Sequence, residues 1–86
     1  MDGEQVKSQE LPKQPIMEPS ADMMKRFTYH PPKNDQAQRY QFIRDRAFAF
    51  AMIVDHECPN SREKSLALTK LEEAVMWANA AIARNE

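Results

Sequence analysis

The sequence holds a single glycine, Gly3, and a single cysteine, Cys58, in 86 residues. One glycine near the N-terminus excludes a Gly-rich phosphate-cradling loop. One cysteine excludes an internal disulfide, and a lone free thiol suits a reducing compartment. The two histidines, His30 and His56, lie far apart and have no ligand spacing such as H-x-x-x-H, so no zinc site is legible. A formal net charge of −1 gives no basic footprint for long nucleic acids. The longest apolar run, Ala47 to Val54, is far too short to span a membrane. The N-terminus lacks the basic-then-apolar run of a signal peptide.

What remains divides in two. Residues 1–26 carry Pro12, Pro15 and Pro19 among Glu, Gln, Lys and Ser, a composition that buries too little to offset its ordering entropy. They read as a polar, Pro-rich extension. Residues 27–86 form the folding unit, and a unit of roughly 60 residues is marginal alone. With disulfide and metal excluded, association is the remaining source of stability.

The folding unit reads as all-α. After Pro31-Pro32, Asp35 with Gln38 resembles a capping box, and Ile43, Ala47, Phe50, Ala51, Val54 and Cys58 trace one helical face. Pro59 ends the run, which places helix one at 34–57. Asn60 and Glu63 form a second N-x-x-E box. Leu68, Leu71, Val75, Ala78 and Ile82 then recur at steps of three and four, which places helix two at 61–84. Ala67, Ala74 and Ala81 lie beside that seam and permit close helix approach. The short turn makes the pair an antiparallel two-helix hairpin.

A hairpin hides one stripe per helix, yet each helix carries a second apolar set. Helix one has Phe42, Phe48, Ala49, Met52 and Ile53, and helix two has Leu66, Met76 and Trp77. Large exposed apolar patches mark interfaces, so the expected form is a homo-oligomer. The plainer alternative packs Met23, Met24 and Phe27 of the N-terminal segment over the spare stripe.

No enzyme signature is present. Neither a Ser-His-Asp nor a Cys-His arrangement is legible, and Glu72-Glu73 point apart on a helix. Cys58 sits at the negative end of a helix dipole, which disfavours a thiolate, and reads as a small buried residue. His56 reads as a dipole partner at the same end. The cations are more informative. Lys33, Arg39, Arg44 and Arg46 gather on the first half of helix one, while Arg62 and Lys64 open helix two, where a helix N-terminus suits a phosphate despite Glu63. Tyr29, in the stretch RFTYHPPK that prolines keep out of a helix, and Arg44 are both good partners for stacked bases. The plain readings are that Tyr29 staples the N-terminal segment to the hairpin, that Arg44 is a surface charge beside Asp45, and that His30 caps the apolar end.

The block CPNSREKSLALTKLEEAVMWANAAIARNE, following FTYHPP…RY..IR, resembles the phage anti-CBASS cyclic-oligonucleotide sponge family, whose hairpin domain is shared with a Thoeris-inhibiting sponge. The likeness covers about residues 27–86. It implies an all-α hexamer with no catalytic activity and no cofactor. Such a protein works in the cytoplasm of the infected bacterium. There it sequesters cyclic dinucleotides such as cyclic GMP-AMP, so that the defence effector is never switched on. In the family, a tyrosine before helix one and a basic residue on helix one hold the dinucleotide at a protomer pair. The matching positions are Tyr29 and Arg44, with His30 adjacent. Arginine at the second position departs from the frequent lysine, keeping the charge but presenting a donor fork to different atoms. A second kind of pocket, for cyclic trinucleotides, matches Arg62 and, more weakly, Arg46, where the family can carry threonine. The competing expectation is a helical-hairpin module that binds a host protein through its spare apolar stripe; a nuclease or phosphodiesterase ranks last.

Overall fold

Side-chain caps open the first and last helices, and a proline follows the end of the middle one. The structure, a computed structural model, describes residues 17–86, so most of the expected extension, residues 1–16, lies outside the described residues. The described chain is all-helical: α1 spans Ala21–Phe27, α2 Gln36–Glu57 and α3 Arg62–Asn85, with no strand among the described residues. The last two match the expected hairpin to within two residues at each end.

α1 is a helix that the extended reading of this region missed. Ser20 caps it, its Oγ accepting from the Met23 amide at 3.1 Å. Asp22 stands in the first turn and Lys25 and Arg26 in the last, each charge matched to the helix dipole. Arg26 and Phe27, the first two residues of RFTYHPPK, therefore close a helix. The chain is extended from Thr28 onward, where the Thr28 hydroxyl and amide both bond the Met24 carbonyl.

α2 opens differently from expectation. Asn34 takes φ 54°, a left-handed conformation that asparagine tolerates better than most residues. Asp35 occupies the cap position but at φ −93°, ψ 12°, and its side chain makes no capping bond. A capping carboxylate needs an extended backbone to reach back to the N2 or N3 amide; here Asp35 points instead towards Arg39, at 3.7 Å. At the far end, Cys58 is extended (φ −101°, ψ 139°), as a residue before proline must be. That turns it out of helical register, and the expected buried thiol is exposed.

The expected Asn60–Glu63 box is displaced by one residue. Ser61 caps α3, its Oγ accepting from the Lys64 amide at 3.1 Å and donating to the Pro59 carbonyl at 3.0 Å. Asn60 Oδ1 is engaged elsewhere, by Lys64 Nζ at 2.9 Å. The same ammonium donates to the Asp55 carbonyl at 2.7 Å and pairs with the Asp55 carboxylate at 3.1 Å. With its side chain only 10% exposed, Lys64 is a tie across the turn rather than a cation available to a ligand.

α2 and α3 pack together along Ile43, Ala47, Ala51 and Val54 on one side and Leu68, Leu71, Val75, Ala78 and Ile82 on the other. Most are half-buried, and Ile82, 9% exposed, is the one hydrophobic side chain classed as buried among the described residues. Phe50, expected in the seam, lies at its margin and is exposed, because apolar residues run all the way around α2 and one partner covers only one stripe. Ala67, Ala74 and Ala81 are exposed too, so this small-residue stripe is not used within the hairpin. Phe42, Phe48, Met52, Ile53, Met76 and Trp77 stay open to solvent. Met23, Met24 and Phe27 are themselves exposed, so α1 does not cover that surface.

Candidate functional site

Two concave regions carry the candidate residues. The first lies at the open end of the hairpin, where the strap from Thr28 to Lys33 passes over the last turn of α3. It is a polar cleft of about 380 Å³ lined by Tyr29, His30, Lys33, Gln36, Arg84 and Glu86. Tyr29 is 82% exposed, so its ring is presented rather than packed among the described residues; residues 1–16, most of the segment it would staple, lie outside them. His30 is half-buried, and its Nε2 lies 2.7 Å from the Lys25 carbonyl. A carbonyl only accepts, so Nε2 carries the proton and, in the neutral ring, Nδ1 is left as an acceptor.

A polar clasp holds this end together. Arg39 Nη1 donates to Glu86 Oε1 at 2.8 Å, and Gln36 Nε2 donates to the same oxygen at 3.3 Å. The hydrogen bond from Arg39, then that from Gln36, holds the Glu86 carboxyl below the usual carboxylate range, and the Glu86 hydrogen bond raises Arg39 in return. Arg39 is thus committed to Glu86, and the cations left lining the cleft are Lys33 and Arg84. Sequence reasoning had placed Arg39 among the candidate ligand cations and had given Gln36, Arg84 and Glu86 no role. The pairs are separated by 47 and 50 residues, and no local spacing links them.

The second region is an apolar groove of about 430 Å³ along the hairpin, lined by Arg44, Ala47, Phe48, Leu71, Glu72 and Met76. Arg44 stands on its edge. It donates to Gln41 Oε1 at 3.4 Å and joins no ion pair among the described residues, while Asp45 accepts from Gln41 instead. Arg44 is an exposed charge beside Asp45, and both residues bond Gln41 rather than each other. Arg44, Phe48 and Met52 follow one another at steps of four along one flank of α2. Phe42, Arg46 and Phe50 do the same along another, and the Arg46 guanidinium stacks over the Phe42 ring at 4.9 Å.

Within one chain, then, Tyr29 and His30 share the open-end cleft, while Arg44 lies in a separate groove. Arg62 is the first residue of α3, at the turn end, and Arg46 stands in the middle of α2, so these two are not brought together either. Among the described residues no cluster of His, Cys, Asp or Glu is placed to hold a metal ion, and no helix is long and apolar enough to cross a membrane.

No curated protein and no solved structure gives a significant match to the chain. Residues 20–83 match the family described as "Acb2/Tad1, hairpin domain". The match begins at the cap of α1 and runs through α2 and nearly all of α3, taking in Gln36 and Arg39 of the clasp but not Glu86. It bears out the resemblance read from the C-terminal block and extends it upstream over the short helix. The chain belongs to the Acb2/Tad1 hairpin-domain family.

Proposed function

We propose that this protein is a phage anti-defence sponge. It assembles from several copies of the hairpin, carries out no catalytic step of its own, and holds cyclic dinucleotides such as cyclic GMP-AMP intact in the cytoplasm of the infected bacterium, so that CBASS-type signalling fails. The observation that carries this reading is the presence of an exposed Tyr29 ring on a tethered strap and of an Arg44 that joins no ion pair among the described residues, each on the rim of a different concavity. An aromatic face suits a base and an unpaired guanidinium suits a phosphate. A second copy related by a two-fold axis would supply both groups in duplicate, which is what a ring of two nucleotides requires.

Association has its own support. A half-buried leucine recovers roughly half of the ~1.5–3 kcal/mol of full burial. A seam with Ile82 as its one buried hydrophobic leaves the single hairpin short of what its ordering costs. Covering Phe48, Met52, Met76 and Trp77 with neighbouring hairpins would make up the difference, and a hexamer is the closed form we favour. The unused Ala67, Ala74 and Ala81 stripe would let those neighbours approach closely. Arg62 and Arg46, distant within one chain, would form the second, trinucleotide pocket only across such a contact.

Calorimetric titration against a panel of cyclic di- and trinucleotides tests the reading. Saturable binding with nucleotide recovered intact after proteolysis is the expected result, and no heat across the panel at micromolar protein refutes it. The same exposed apolar surface would also serve a module that binds a host protein; a monomeric mass in light scattering would favour that reading over the sponge.

A further inference from the structure

Tyr29 is held in place without packing of its own, since its ring is 82% exposed. Its position must therefore come from the strap on either side. His30, the residue after Tyr29, bonds back through Nε2 to the upstream Lys25 carbonyl at 2.7 Å, and Lys25 Nζ donates to Asn85 Oδ1 at 3.1 Å, which ties α1 to the last turn of α3. Downstream, Pro31 and Pro32 have no N–H to offer. The first backbone donor after His30 is the Lys33 amide, and it donates to Gln36 Oε1 at 3.1 Å. The other end of the Gln36 amide donates to Glu86 Oε1, the oxygen that also receives Arg39.

Gln36 is the most enclosed polar residue of the described chain, at 2% exposure. Its amide is used at both ends, and only one orientation works. The oxygen must face the Lys33 N–H and the nitrogen must face the carboxylate, because the reverse would set donor against donor and acceptor against acceptor. A glutamate at this position could still accept from Lys33 but would face Glu86 as a like charge. An alanine would lose both bonds.

We infer that Gln36, seated on the Glu86 carboxylate, is the positioning residue for Tyr29: it fixes the downstream end of the strap, and so the angle at which the ring meets a ligand. The ligand consequence rests on the sponge reading; the strap itself does not. Gln36 touches no ligand in this scheme and acts through Lys33 and the two prolines.

The test pairs two readouts on the full chain: backbone amide exchange at Lys33 without ligand, and calorimetric affinity for cyclic GMP-AMP. For Gln36→Ala we expect Lys33 exchange to accelerate and affinity to fall, each by about tenfold, the scale of one lost hydrogen bond, with oligomer mass unchanged. Should Gln36→Ala fold poorly, the half-exposed Glu86 supplies the second series. Glu86→Ala should reproduce both effects. Glu86→Gln, which keeps an acceptor oxygen but drops the charge that Arg39 and Gln36 bond, should recover only part of each effect. Wild-type protection at Lys33 in Gln36→Ala or Glu86→Ala overturns the inference whatever the affinity. Lost protection with unchanged affinity also overturns it, since the strap would then not set the ring. Lost protection in a protein whose wild type binds no cyclic nucleotide supports the strap and rejects the sponge reading instead.

Discussion

At the turn end of the hairpin one side chain closes the chain on itself, whereas at the open end the closure is shared among residues from both ends of the folded unit. Lys64 reaches Asp55 and Asn60, nine and four residues away, and is nearly enclosed in doing so. Gln36 and Arg39 reach Glu86 across 50 and 47 residues, and Lys25 reaches Asn85 across 60. The turn end forms from local chain and presents no aromatic ring. The open end forms only when the whole hairpin is in register, and it is where Tyr29 is displayed. A site built on the second kind of closure reports on the entire fold, because any slip of α2 along α3 moves the carboxylate on which the strap rests.

The comparison can be broken most sharply at the ring itself. Tyr29→Ala should remove dinucleotide binding, weakening it by about 100-fold or more if the ring stacks a base in each copy, since each stacked base contributes ~1–3 kcal/mol. Light scattering of the same variant should show an unchanged mass. Binding at wild-type affinity would take Tyr29 out of the site.

The turn end should respond in stability rather than in binding. Lys64→Met removes a charged tie worth about 1–2 kcal/mol after allowing for an Asp55 carboxylate that water can reach. Urea unfolding should register that loss while the ligand affinity of the folded fraction stays put. A Lys64→Met protein as stable as wild type would mean that the Ser61 cap and Pro59 alone make the turn.

The pH response separates the ends further. The Glu86 carboxyl titrates below its ordinary range because Arg39, then Gln36, bond its charged form. A depressed folded-state value means the clasp's contribution is complete above the ordinary carboxylate range. It is lost as pH falls through the lowered value. Amide protection at Lys33 should therefore be flat from neutrality down to the ordinary carboxylate range and fall only below it. Loss of protection at higher pH would point to a different titrating group.

The smallest effect belongs to Cys58. It is exposed in the turn, so Cys58→Ser should shift stability by less than about 0.5 kcal/mol and leave ligand binding unchanged. A larger loss would show that assembly buries it.

The long helices were legible because their signals are local and repeated. Leu68, Leu71, Val75, Ala78 and Ile82 mark the face of α3 by spacing alone, and Pro59 marks the turn. Caps were harder: Asn60 and Ser61 are both good capping residues, and what decides between them is Lys64, whose ammonium occupies Asn60. α1 went unseen because seven residues carry no full apolar period, although Ser20, Asp22 and Lys25-Arg26 hold the cap and dipole signals. Of the candidate site, the residue types that matter could be picked out on the strap, with the family resemblance supplying their pairing. The clasp could not, because Gln36, Arg39 and Glu86 are ordinary surface residue types until the hairpin register brings them together.

Native mass spectrometry of the full chain with cyclic GMP-AMP tests the central claim most directly, since one spectrum reports both the number of copies and the nucleotide they hold. The expected result is an assembly of several 10.0 kDa chains carrying intact cyclic dinucleotide. A bare monomer, or an assembly that carries only cleaved nucleotide, would contradict it.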